Sequence, residues 1–454
     1  MDRRQFLTAA SAVALQTGTR ALVPSFLGEP QSVAKADFTL HIGPVSVELA
    51  PGKFARTVGY NGTVPGPLLR MREGVSTTVD VFNATDAEEL VHWHGLMVPS
   101  EVDGAAEEGT PSVPAHGRRR YTFIPKPAGT RWYHTHTPAG TDLTKGMYSG
   151  QFGFLYIEPK NEPGNYDREV FLAIHQWGPS TDVHMGPPDN GLEVSYQYAT
   201  FNDKMLGQGD PLRVRKGEKI LFRLLNASAT DDLRLALPGH EFQIIALDGN
   251  PVLTPRTVNI LQIGVAERID AIVEMTQPGV WVFGSASDGE RQKGMGIVVE
   301  YADQRGEPQW IAPAEEPWDY GAFGKTQIPP EPDGKFDLVF RKIPGERVRF
   351  NRWTINGKSF PDSDPLVVKS GKRYRLSFRN ESGDTHPLHL HRHSFEITNF
   401  AGKLTGGVHK DVVVVNPFST AEVDFVADNP GLTLFHCHAQ LHMDFGFMNL
   451  IKYI

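Results

Sequence analysis

A chain of 454 residues is too long for one hydrophobic core and predicts about three domains. Its formal net charge of −8 excludes an electrostatic nucleic-acid binder, and no apolar run approaches the ~18 residues of a membrane span. Frequent Pro and Gly, with few long amphipathic helical patterns, favour many short strands.

The N-terminus has the shape of an export signal. Arg3-Arg4 precede Phe6-Leu7 and a small, apolar run from Thr8 to Leu15, in the manner of a twin-arginine signal, and Ala34-Lys35-Ala36 offers a cleavage site. Residues 1–36 are therefore set outside the fold, and a periplasmic or secreted location is expected. An exporter of folded proteins suits a cofactor loaded before export.

Internal repetition organises the remainder. Pro67-Leu68, Gly74, Asn83 and Thr85 recur as Pro211-Leu212, Gly217, Asn226 and Ser228, then as Pro365-Leu366, Gly371, Asn380 and Ser382, with a constant Gly-to-Asn step of nine. Between each Gly and Asn lies a strand-like run closing at a turn. The Asn-x-Ser/Thr triplets resemble glycosylation sequons but read as turn chemistry. A second element closes each copy: Gly129 leads to Trp132-Tyr133-His134-Thr135-His136, Gly279 to Phe283-Gly284-Ser285-Ala286, and Gly431 to Phe435-His436-Cys437-His438. The expected domains are 37–160, 161–303 and 335–454, with a Pro-, Trp- and acid-rich linker over 304–334 that wraps the surface. The Arg118-Arg119-Arg120 run reads as a solvated strand edge.

Histidine is concentrated in the outer two copies. His92 and His94 follow Asn83 by nine and eleven residues, and His389 and His391 follow Asn380 by the same steps, whereas Leu235 and Leu237 occupy those places in the middle copy. With His134/His136 and His436/His438 this makes four His-x-His pairs, which can converge only where the first and third domains touch. Imidazoles in this number suit copper, zinc or iron.

Cys437 is the only cysteine, so it closes no internal disulfide. Alternation along a strand puts His436 and His438 on one face and Cys437 on the other, so one strand serves two metal sites and joins them by a covalent path. His386 is an odd step from His389 and shares the Cys437 side. Cys437, His386 and His442 form a thiolate and imidazole set, which tilts the choice to copper.

His92-Trp93-His94-Gly95, Trp132-Tyr133-His134-Thr135-His136, His386-Pro387-Leu388-His389-Leu390-His391 and His436-Cys437-His438 with His442 together resemble the three-domain multicopper oxidases of the laccase-like group. The resemblance implies an all-β chain of three cupredoxin-like Greek-key β-sandwich domains and four copper ions. It places His386, Cys437 and His442 on a type 1 copper, His92 and His389 on a type 2 copper, and His94, His134, His136, His391, His436 and His438 on a type 3 pair. The implied activity is one-electron oxidation of phenols or aromatic amines coupled to reduction of dioxygen to water. The alternatives are a cuprous, manganous or ferrous ion oxidase in metal tolerance, or a non-enzymatic copper-binding envelope protein. The expected partners are dioxygen and the small reductant, with no nucleic acid, no membrane span and a monomeric chain.

Several positions depart from the family pattern. Phe447 stands where many relatives have an axial methionine, and an aromatic ring cannot ligate; Met448 is one residue out of step. Met443 replaces a glutamate that in several relatives helps to move protons, so another group must serve, and Asp103 matches the family's acidic residue near the cluster. Arg392 replaces a glycine, and His393 reads as a satisfied structural histidine. His41, His116, His175, His184, His240 and His409 have no ligand spacing.

Overall fold

The run between Gly and Asn in each repeat forms a strand: Thr77–Asn83, Lys219–Asn226 and Arg373–Asn380. In Thr77–Asn83, buried and half-buried residues alternate, as a strand with one core face requires. The asparagine then turns the chain. Asn83 Oδ1 accepts from the Thr85 amide (2.9 Å), Asn226 Oδ1 from Ser228 (3.0 Å) and Asn380 Oδ1 from Ser382 (2.9 Å). Each side-chain amide donates to carbonyls across the turn, such as Ala87 and Val113, Asp231 and Ile263, or Asp384 and Asn416. All three asparagines are buried, which explains their recurrence by turn chemistry.

The computed structural model describes residues 35–160, 164–184, 191–345 and 350–454; the twin-arginine segment lies outside the described residues. Strands assemble into six sheets that fall into three pairs along the chain. In each pair the first long strand runs parallel to the Asn-terminated strand: Phe38–Ala50 with Thr77–Asn83, Arg168–His184 with Lys219–Asn226, and Gly334–Ile343 with Arg373–Asn380. The strand at the Pro-Leu step pairs parallel with the last strand of its repeat in the other sheet. Parallel neighbours cannot be joined by a hairpin, so the chain crosses between sheets, and a Greek-key sandwich results three times. Helix is confined to short turns such as Ser100–Asp103, Asp288–Gln292 and Gln440–Asp444.

One apolar cluster runs from Phe222 and Ile244 through Phe340 and Phe378 to Cys437 and Phe447, joining the second and third sandwiches, and another joins the first to the second. The 304–334 stretch is more than a surface wrap. Tyr320 and Phe323, in the short 3-10 turn Tyr320–Phe323, are about fully buried, and the Tyr320 hydroxyl donates to Glu267. Arg120 pairs with Asp80 along the strand Arg118–Phe123, and Arg118 is exposed at its start, as a solvated edge requires.

Asn226 carries no ligand and lies in the middle sandwich, so Asn226→Ala isolates the turn. Losing its buried hydrogen bonds is expected to lower stability by about 2–3 kcal/mol, measured as a shifted denaturant midpoint, with the visible spectrum of the copper-loaded protein unchanged.

Candidate metal centre

The four His-x-His pairs sit at strand ends. His92 ends Val91–His92, His134 is in Gly129–Thr135, His389 in His386–Leu390 and His436 in Thr433–Cys437, while His94, His136, His391 and His438 lie just beyond. The strands thus stop within each pair, earlier than simple alternation predicts. Between the first pair, Trp93 turns into the first sandwich against Tyr121, Phe123 and Tyr133. Gly95 follows at φ +83°, and a Cβ there would stand 2.7 Å from Asp411 Oδ2, so only glycine lets the chain pass this acid.

Strand Val91–His92 pairs with Gly129–Thr135, and His386–Leu390 pairs with Thr433–Cys437, and the two pairs of strands face each other. Eight buried imidazoles gather between them. His92 stacks on His391 at 4.0 Å and His94 on His389 at 3.8 Å, each a contact between the first and third sandwiches. His136 lies 5.0 Å from His391 and 5.4 Å from His436, and His438 lies 5.1 Å from both His94 and His134.

The second nitrogen of most rings is held by the chain. Nδ1 of His92, His134, His389 and His436 meets the carbonyls of Asp103, Thr135, Asp411 and Cys437 at 2.8–2.9 Å. His391 Nδ1 meets Asp103 Oδ2 at 2.8 Å, and His94 Nε2 meets Asp411 Oδ1 at 3.0 Å. A carbonyl or carboxylate can only accept, so these nitrogens carry the proton and the opposite ones present lone pairs to the centre. There, Nε2 of His92, His136 and His389 and both nitrogens of His438 have no hydrogen-bond partner among the described residues. His391 Nε2 and His436 Nε2 face each other at 3.0 Å, lone pair against lone pair. Protonation does not relieve this. Burial first, and neighbouring imidazoles second, hold His94, His134, His391 and His438 well below the ordinary histidine range, and His136 at about 3. Dry, neutral, inward lone pairs are a donor set for cations.

The second set lies on the other face of the same strand. Cys437 Sγ is 3.3 Å from His442 Nδ1 and 3.7 Å from His386 Nδ1, and those two nitrogens are 3.2 Å apart. Burial pushes the Cys437 thiol well above its usual value, so a thiolate there needs a metal as counter-charge. Phe447 is fully buried with its ring 4.6 Å from His386, beside the set; Met448, on the last strand, pairs with His436. In the other repeats the corresponding positions bind no such set. Glu89 takes the place of His386, and its Oε2 accepts from Gln151 (2.9 Å), Thr137 (3.2 Å) and Thr135 (3.3 Å), the last standing where Cys437 would be. The middle repeat has Asp232 and Ser285 there.

Family models for multicopper oxidase match residues 41–162, 180–299 and 338–453, which together span well over half of the chain. The chain belongs to the multicopper oxidase family. It is 29% identical to "Multicopper oxidase MmcO" of Mycobacterium tuberculosis, over 96% of this chain and 90% of that protein. It is 24% identical to "Copper resistance protein A homolog" of Pseudomonas syringae pv. tomato, over 94% of this chain and 93% of that one. Among solved structures, the multi-copper oxidase of Pseudomonas thermotolerans superposes with a TM-score of 0.71 at 27% identity, over 92% of this chain and all of the other. The laccase of Botrytis aclada superposes with a TM-score of 0.72 at 21% identity, over 91% of this chain and 87% of that one, a likeness of fold. The protein is thus an oxidoreductase that uses copper and dioxygen, and its domains have the cupredoxin-like architecture.

The multicopper oxidase scaffold adds groups that sequence spacing does not reveal. Asp411 lies at the junction of all three sandwiches: its carboxylate meets Arg268 Nη2 (2.5 Å), Arg131 Nη1 (3.4 Å) and His94. Its neighbour Lys410 pairs with Asp248 and Glu267 at 2.9 Å, all of them buried. Glu108 stands beside Asp103, 3.5 Å from His391 Nδ1, and burial and then the Asp103 charge raise its carboxyl well above the usual range. In sequence both look like ordinary surface acids. His393 is satisfied by Tyr453 and the His391 carbonyl. Arg392, at φ +59°, is buried and donates to Val98, Asn429, Pro430 and Leu432 carbonyls, so a cation clamp between the first and third sandwiches replaces the family's glycine. His175 and His240 are buried away from the centre. No helix among the described residues is long and apolar enough to cross a membrane.

The neutral imidazoles make the metal-free protein acid-sensitive. Unfolded histidines take up protons near pH 6.5 while folded His442 does so at about 4, so native stability is full above the unfolded value and falls as pH drops between the two. That shift alone amounts to about 3 kcal/mol. Thermal melts of metal-free protein should show the midpoint falling steadily from pH 7 to pH 4.

Proposed function

We propose that this multicopper oxidase is laccase-like, taking single electrons from phenols or aromatic amines at a type 1 copper and reducing dioxygen to water at a trinuclear cluster, with four coppers in all. His386, Cys437 and His442 would hold the type 1 ion, and His92 and His389 the type 2 ion. His136, His391 and His436 would hold one type 3 ion and His94, His134 and His438 the other. Copper so placed supplies one-electron redox chemistry and a site for dioxygen. The observation that carries the reading is the strand Thr433–Cys437, which puts the thiolate on one face while His436 and His438 enter the cluster on the other. The backbone of three consecutive residues then links the two sites.

Protons come from the chain. Asp103 Oδ2 lies 3.1 Å from His92 Nδ1 and 2.8 Å from His391 Nδ1, while Oδ1 has no hydrogen-bond partner among the described residues. Asp103 orients both rings, and Glu108 beside it, whose carboxyl burial raises well above its usual range, offers a proton-carrying group at the cluster's edge, the service that Met443 cannot perform. Export through the twin-arginine signal completes the reading, supported by Arg3-Arg4 ahead of the apolar run.

The reductant meets His442, which lines a cavity of about 640 Å³ together with Asp231, Asp232, Arg234, Glu290, Glu315 and Asp384. Arg234 pairs with Glu315, Lys293 with Glu290 and Lys342 with Asp384, which leaves Asp231 and Asp232 as the cavity acids with no ion pair among the described residues. These walls suit a positively charged or amine-bearing donor more than a neutral one. They also support the second reading, oxidation of a metal ion, and within it they favour manganous or ferrous ions, because carboxylates are hard ligands and no methionine lines the cavity among the described residues.

Oxygen uptake on a phenol, an aromatic amine and each metal ion separates these readings. Phenol and amine turnover without added copper is expected, with Asp231→Asn raising KM for the amine about tenfold, the effect of ~1.4 kcal/mol, and leaving a neutral phenol unchanged. A far higher kcat/KM for cuprous ion than for any organic donor would replace the laccase-like reading with a metal oxidase. Cys437→Ser should abolish the visible thiolate-to-copper band while the other coppers remain; a purified variant that stays blue would refute the ligand assignment. Phe447→Met should add an axial thioether and lower the type 1 potential, and since ~59 mV is a tenfold change in a one-electron equilibrium, redox titration resolves even a modest drop.

A further inference from the structure

The type 1 set has one ligand exposed to the cavity and one sealed in the interior. His442 packs against Trp353, ring centroids 4.1 Å apart and tilted by 33°, and lines the cavity, whereas His386 is fully buried between Phe340 and Phe447. A buried imidazole among apolar rings can bind through either nitrogen and can turn about its own bond, so something must fix it. Its Nε2 lies 2.9 Å from Ser382 Oγ. That hydroxyl's own hydrogen goes to Asn380 Oδ1, at 2.8 Å. With its only proton committed, Ser382 Oγ can offer His386 nothing but a lone pair, so His386 Nε2 carries the proton and Nδ1 is bare. The bare nitrogen is the one that faces Cys437 Sγ and His442 Nδ1.

The repeats show that this hydroxyl is separable from the turn that holds it. In the first copy Thr85 Oγ1 donates to Asn83 Oδ1 and lies 3.0 Å from the Ala87 carbonyl, all within the turn. In the second copy Ser228 is fully buried and its hydroxyl has no hydrogen-bond partner among the described residues, yet Asn226 makes the same turn through the Ser228 amide and two carbonyls. Six residues after the asparagine stand Glu89, Asp232 and His386 in turn, so only in the third copy does the hydroxyl meet an imidazole.

The geometry points to Ser382 as a positioning residue of the electron-entry site: its hydroxyl, set by the Asn380 turn, locks His386 in the tautomer whose Nδ1 is free to bind copper. This rests on the assignment of His386, Cys437 and His442 as the type 1 ligands. Electrons enter through His442 while His386 is held still, so the site couples one substrate-facing ligand to one anchored ligand. Ser382→Ala removes the acceptor together with the hydroxyl's bonds to Asn380 Oδ1 (2.8 Å) and from the Asp384 amide (3.3 Å), while the Ser382 amide and the Asn380 side-chain amide still make the turn as in the second copy. Ser382→Thr restores the hydroxyl in a side chain that the first copy already uses there.

Two readouts besides turnover test this. In metal-free protein, nitrogen NMR should show His386 as the Nε2–H tautomer in wild type and Ser382→Thr, and a mixture in Ser382→Ala. In chelator titrations Ser382→Ala should lose copper from the blue site about 10–100-fold more readily, with its melting midpoint and the remaining coppers close to wild type. An unchanged tautomer together with unchanged retention would overturn the inference, as would a loss that Ser382→Thr does not restore, or one accompanied by general unfolding. A wild-type protein whose copper gives no thiolate band would instead overturn the type 1 assignment, so the two failures are distinguishable.

Discussion

Eight buried imidazoles pressed together in a dry interface set the central constraint of this protein. Each would rather face water, and in the His391–His436 pair two lone pairs meet directly. Without cations the inward lone pairs crowd one another, and a cation bound among them would relieve that crowding. The fold keeps six of the eight rings from turning away by tying their outer nitrogens to backbone carbonyls and to Asp103 and Asp411, so the cluster is preorganised for a cation.

Those ties reach across domain boundaries, which makes the cluster dependent on how the sandwiches dock. Asp411 joins Arg268 from the second sandwich, Arg131 from the first and His94 from the cluster. Buried ion pairs of this kind repay their desolvation only when their hydrogen bonds are made in good geometry. The middle sandwich has Leu235, Leu237, Asp232 and Ser285 where the third has His389, His391, His386 and Cys437, but it supplies Asp248, Glu267 and Arg268 to this junction and Asp231, Asp232 and Glu290 to the cavity over His442. A spacer in sequence is thus a wall and a bracket in space.

The repeat also explains how one framework carries different chemistry. The Asn-centred turn is the same in all three copies, while the sixth residue after it is a hydrogen-bonded glutamate, a cavity aspartate or a buried histidine. The same asparagine bond closes the turn in every copy, so the character of the position six residues on is set by its side chain.

The sequence by itself determined the threefold repeat, the residues that gather in the two clusters and the sharing of one strand by both, since each depends on local spacing and on the alternation of side chains. It also marked Asp103, through its distance from His94, and Phe447, through its distance from His442. Tertiary structure alone decided which nitrogen of each ring faces inward and which acids support the cluster, because those partners lie far apart in the chain: His94 meets Asp411 across 317 residues, and His391 meets Asp103 across 288. Glu108 and Asp411 are silent in the sequence for that reason, as is the buried packing of Tyr320 in a stretch that reads as linker. Periodicity records the face a residue takes on its own strand, while the partner that face meets is set by the docking of separate sandwiches.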